Sequence, residues 1–114
     1  MIHILLHAAV PVLVALAFYR PKWLPAAAIL LATMVVDVDH LLADPIYDPD
    51  RCSIGFHPLH SGAAIALYFV LAAFPLVRRL KADTAPVQPV LRTVHLIGLG
   101  LVIHMALDWG DCLL

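Results

Sequence analysis

The sequence predicts an all-α chain, a bundle of four transmembrane helices with both termini on the outer side, and three observations carry that reading. Of the 114 residues 63% are hydrophobic and 13% charged. Apolar stretches of membrane-crossing length recur four times, each ended by proline or charge. Basic residues gather in two of the three connections and acidic ones in the third. A soluble domain this small exposes too much of its area to hide so much apolar surface, so lipid is the expected surrounding. A crossing needs about 20 apolar residues, which leaves room for four and short loops. No repeat, low-complexity tract or linker divides the chain, and one domain over 1–114 is expected. The net charge of −1 offers no basic field for nucleic acid.

The first helix is expected over 2–19. It has an apolar core like that of a signal peptide, but its basic residues, Arg20 and Lys22, follow the apolar run instead of preceding it. Arg20-Pro21-Lys22-Trp23 closes it. The second helix is expected over 25–43, with Pro25 where a missing N–H costs nothing and Asp44-Pro45 as the stop. A loop holding Asp48, Asp50 and Arg51 follows. Pro58 opens the third helix, 58–80, with His57 as its N-cap. Arg78, Arg79, Lys81, Asp83, Pro86 and Pro89 make the third connection, and the fourth helix covers 90–111. With Arg20, Lys22, Arg78, Arg79, Lys81 and Arg92 on the inner side, loop 2–3 and both termini face outward.

Ionisable groups inside such helices are costly, by roughly 2.5–3.5 kcal/mol for Asp, and mark function. Here they form one stripe per helix: His3 and His7; Asp37, His40 and Asp44, within about 60° at 100° per residue; His57 and His60; His104, Asp108 and Asp111. The orientation, deduced without these residues, puts all four stripes on the outer side. Imidazoles and carboxylates on facing helices suit a divalent metal, zinc first, with iron or manganese as alternatives and one or two ions. A metal with an open position lowers the pKa of its water toward ~7, the route to hydrolysis. Pro11 disrupts the bond to residue i−4, which leaves the His7 carbonyl available to the site.

Plainer readings compete. His3 reads equally as a ligand or an interfacial residue. Asp39, about 100° from His40, suits a headgroup-facing or second-layer role better than ligation. Asp48, Asp50 and Asp111 read as solvated charges. His95, about 180° from the His104 face, reads as structural. Gly98 and Gly100 permit close helix packing, and Trp23, Tyr47 and Trp109 fit an interfacial belt. For Asp37, His40, His60, His104 and Asp108 the alternative is polar glue between helices. Cys52 and Cys112, both on the outer side, would make a disulfide from loop 2–3 to the end of helix 4, or remain free thiols.

The segments Asp37-Val38-Asp39-His40-Leu41-Leu42, Arg51-Cys52-Ser53-Ile54-Gly55-Phe56-His57-Pro58-Leu59-His60-Ser61 and His104-Met105-Ala106-Leu107-Asp108 resemble those of a small family of bacterial four-helix membrane proteins, along nearly the whole chain. More distantly, Asp-x-Asp-His, His-x-x-His-Ser and His-x-x-x-Asp are similar to elements of larger membrane-bound metal-dependent hydrolases, described as LexA-binding inner-membrane proteins. That resemblance implies a place in the bacterial inner membrane and site positions Asp37, Asp39, His40, His57, His60, Ser61, His104 and Asp108. A fainter likeness to membrane phosphatidic-acid phosphatases fails, because Ile97-Gly98 stands where those enzymes carry Ser-Arg and no Arg-rich phosphate clamp exists.

The leading expectation is therefore a metal-dependent membrane hydrolase acting on a lipid phosphate or ester at the outer leaflet. Asp37, His40, His60, His104 and Asp108 would hold metal, His7 and His57 would add ligands, and Asp39 or Asp44 would act as general base. The competitor is a non-enzymatic metal-binding, sensing or transport protein, although the inner halves of the helices are almost wholly apolar. Haem between paired histidines is a third reading. Membrane lipid is the expected partner, and the small residues of helices 2 and 4 allow a homo-oligomer.

Overall fold

The computed structural model describes residues 2–20, 22–45, 51–81 and 89–113, apart from the side chains of His3 and of residues 78–81. The positions of Tyr47, Asp48, Asp50, Asp83 and Pro86 lie outside the described residues. Among those described, every regular element is helical and none is a strand. Helix α1 covers Ile2–Phe18 and α2 Trp23–Ala32, which runs directly into a 3-10 segment, Thr33–Leu42. A short 3-10 turn, Pro58–His60, precedes α3 at Gly62–Lys81, and α4 covers Pro89–Leu113. Two helical stretches, Trp23–Leu42 and Pro89–Leu113, are long and apolar enough to cross a membrane, and Ile4–Phe18 and Gly62–Val77 are shorter apolar helices.

Two boundaries differ from the sequence expectation, each for a local reason. The third helix does not run on from Pro58. Ser61 is extended, and its hydroxyl accepts the Ala64 N–H at 3.3 Å, so that it caps α3. The second helix changes character at Thr33, whose hydroxyl donates to the Leu30 carbonyl at 2.6 Å and competes with the α-helical bond there. The β-branched Thr33, Val35, Val36 and Val38 follow, a run that disfavours the α form. Ten residues of 3-10 helix is unusually long and is often the mark of a functional segment.

Helix α3 packs along α4 and α1 along α2, while α4 also meets α2, α1 and the 3-10 segment. Gly98 and Gly100 make this possible. A Cβ at Gly98 would run into the backbone at Leu71–Ala72, and one at Gly100 would lie 2.5 Å from the Thr33 hydroxyl. The apolar core is small. One cluster joins Ala15, Ala26, Ala27, Leu30 and Leu96, and a second joins Val36, Tyr68 and Met105. Among the described residues, eight buried polar or charged side chains stand against these eight, six of them His or Asp near one end of the molecule. Large apolar residues such as Ile4, Leu13, Phe18, Val35, Leu42, Phe69 and Val90 are more than half exposed. Cys52 and Cys112 form a disulfide that ties the segment before α3 to the end of α4.

Candidate metal centre

Four segments converge at the end where α1 begins and α4 finishes. Helix α1 brings His7, the 3-10 segment Asp37, Asp39 and His40, the loop before α3 His57 and His60, and α4 His104 and Asp108. That loop is held in shape by its backbone. The N–H groups of Phe56 and His57 both donate to the Ser53 carbonyl, and Gly55 donates to His60 at 2.9 Å. Gly55 has φ +83°, a conformation in which a side chain would be strained. The Tyr68 hydroxyl donates to the Leu59 carbonyl at 2.8 Å and fixes the turn against α3.

The histidines and aspartates sort into two groups. In the first, Asp37, His60, His104 and Asp108 each offer one atom, all within 4.8 Å of one another. Asp108 Oδ2 is 3.0 Å from His60 Nε2 and 3.3 Å from His104 Nε2. Asp37 Oδ1 is 2.9 Å from His104 Nε2 and 3.5 Å from His60 Nε2. Around a tetrahedral ion with ligand bonds of about 2.0–2.1 Å, neighbouring donor atoms are about 3.3 Å apart, so these four edges match a coordination shell. His60 Nε2 is completely buried and makes no hydrogen bond, although two carboxylate oxygens lie beside it. Neither contact makes a hydrogen bond to this nitrogen, which a cation held among these atoms would engage instead.

The surroundings orient these donors. Asp39, 3% exposed, sits behind His60. Its Oδ2 accepts the His60 Nδ1–H at 3.0 Å and the Leu59 N–H at 2.8 Å, so Nε2 of His60 keeps its lone pair toward the site. His7 donates from Nε2 to Asp108 Oδ1 at 3.0 Å, which leaves Oδ2 turned to His60 and His104. His7 thus meets the first group through the outer oxygen of Asp108.

The second group is Asp39, His40 and His57, whose donor atoms also lie within 4.8 Å of one another. His40 Nδ1 lies 3.1 Å from the Asp37 carbonyl and 3.2 Å from Asp39 Oδ1, and its Nε2 accepts the Ser53 hydroxyl at 3.1 Å. The His40 and His57 rings lie 3.9 Å apart. Burial pushes the His57 pKa below the ordinary imidazole range, with His40 adding to the effect. Both effects favour the neutral, ligating form.

Other expected positions lie apart. Asp44 is exposed just past the 3-10 segment and belongs to neither group. Ser61 serves as the cap of α3. His95 is far along α4, donating from Nδ1 to the Ala72 carbonyl at 2.7 Å and accepting the Tyr19 hydroxyl on Nε2. Ser53, absent from the sequence reading, holds His40; nothing but its closeness to His57 marks it in the sequence.

A family profile matches residues 1–114. The chain belongs to DUF6122, a family of unknown function. No curated protein and no solved structure matches this DUF6122 chain.

Proposed function

We propose that this DUF6122 protein is a membrane-embedded, metal-dependent hydrolase with its metal centre at Asp37, His60, His104 and Asp108, acting on a lipid phosphate or ester at the outer membrane face. The observation that carries the metal reading is the set of four donor atoms, all within 4.8 Å of one another and with each imidazole nitrogen 2.9–3.5 Å from both carboxylates, with His60 backed by Asp39. Two imidazoles and two carboxylates suit zinc, with iron or manganese as alternatives. A bound divalent ion would supply a water of lowered pKa. Asp37, its side chain 39% exposed, forms the open side by which water and substrate reach the centre. Asp39 and His7 keep the donors in register.

The location in this proposal rests on four crossings, two by helices long and apolar enough to span and two by the shorter apolar helices. The exposed apolar residues on all four long helices need a lipid partner, and Arg20, Lys22 and Arg92 lie toward the end opposite the His/Asp layer, which by the positive-inside rule faces that layer outward. The motif resemblance to larger membrane-bound metal-dependent hydrolases would imply the same surrounding, a bacterial inner membrane. One observation favours a second reading, a non-enzymatic metal-binding protein: four protein donors make the closed type of zinc site.

The test is metal analysis of detergent-purified protein, with hydrolysis assayed on lipid phosphate monoesters and carboxylic esters. The expected result is bound zinc-class metal and turnover, both lost in His104→Ala. Metal without turnover on either substrate class supports the second reading, and protein that takes up no metal overturns both.

A further inference from the structure

The second His/Asp group has a feature that packing alone does not account for. His57 is 2% exposed, yet its imidazole forms no hydrogen bond among the described residues. Its ring lies against those of Phe56, His40 and His60. An imidazole so enclosed, with neither nitrogen committed to a protein partner, has a lone pair available to a cation. Its neighbours are a second imidazole and a carboxylate, with donor atoms within 4.8 Å. That is a two-histidine, one-carboxylate set, the donor combination that holds zinc or ferrous iron while leaving coordination positions to water.

We propose that Asp39, His40 and His57 form a second divalent-cation site, so that each chain takes two cations. The inference rests on the reading of the His/Asp layer as metal-binding and adds the count, the ligands and the open position. Asp39 joins the two sites. Its Oδ2 holds His60 Nδ1, whose opposite nitrogen faces the first centre, while Oδ1 lies 3.2 Å from His40. The first site has four protein donors and would take water only as a fifth ligand on its Asp37 side, whereas the second has three and leaves a tetrahedral position to water. His40, the only member with appreciable side-chain exposure at 25%, marks the side from which that water arrives. Ser53, whose hydroxyl lies 3.1 Å from His40 Nε2, would yield that nitrogen to the cation and turn to an incoming water or substrate oxygen.

Equilibrium dialysis of the purified protein against zinc, followed by elemental analysis, reads the stoichiometry. Two zinc ions per chain are expected for the wild type, one for His57→Ala and one for His104→Ala. A wild type that binds one ion, lost in His104→Ala and kept in His57→Ala, overturns the second site and leaves the first standing. A wild type that binds none overturns the metal reading as a whole, and two ions retained in His57→Ala overturn this ligand assignment. Cobalt titration of the wild type needs no variant to fold: absorption bands of tetrahedral or five-coordinate cobalt should grow through two equivalents, and saturation at one contradicts the proposal.

Discussion

His95 and His60 are both buried histidines, and the contrast between them separates a structural imidazole from a ligand. At the end of the molecule near Arg92, His95 spends both ring nitrogens on hydrogen bonds, to the Ala72 carbonyl and the Tyr19 hydroxyl, beside a core of Ala15, Ala26, Ala27, Leu30 and Leu96. At the other end His60 spends only Nδ1, on Asp39, and points Nε2 at two carboxylate oxygens and a second histidine without hydrogen-bonding any of them. One arrangement is complete as it stands. The other leaves a ring nitrogen without a hydrogen bond among donor atoms that could hold a cation, which is the basis of the proposed metal centre.

The largest effect that sharpens this contrast is expected from His60→Ala, which removes one of four donors at the first centre. Zinc affinity should fall by more than the ~100-fold that marks the upper end for loss of a supporting partner, as read by competition with a chromophoric chelator. A change under tenfold would put His60 in the same class as His95. Next is Asp39→Asn, which keeps the shape but exchanges the acceptor behind His60 for an amide; a loss of about 10–100-fold is expected in the same assay. An unchanged affinity would show that Asp39 does not position His60. The smallest effect belongs to His95→Ala. Zinc binding should stay within twofold of the wild type, while unfolding by denaturant should cost about 1 kcal/mol for each hydrogen bond lost. Loss of metal in that variant would erase the distinction between the two ends.

The sequence shows the contrast in outline. Periodicity and helix direction brought His7, Asp37, His60, His104 and Asp108 to one end and left His95 at the other, because spacing and chain reversal are readable from apolar runs and prolines. It does not show how the donors divide into two groups. That division depends on the 3-10 segment Thr33–Leu42, where residues advance about 120° each in place of 100°. An α-helical wheel therefore misplaces Asp39 relative to His40, and it extends the stripe to Asp44, which the structure leaves beyond the segment's end, where Ala43 turns the chain out of the helix. The trigger, a Thr33 hydroxyl on the Leu30 carbonyl with Gly100 packed against it, involves a contact 67 residues away in sequence that no local window contains. The return of the loop through Gly55 to His60 is likewise a backbone event, with only the glycine as its written sign.

The central claim is that Asp37, His60, His104 and Asp108 hold a metal ion. An anomalous-difference map from crystals of the zinc-loaded protein, collected at the zinc edge, tests it most directly. The account predicts a peak bounded by Asp37 Oδ1, His60 Nε2, His104 Nε2 and Asp108 Oδ2, each about 2.0–2.2 Å from the ion. A map with no peak among those four atoms, or zinc held only elsewhere on the chain, would contradict it.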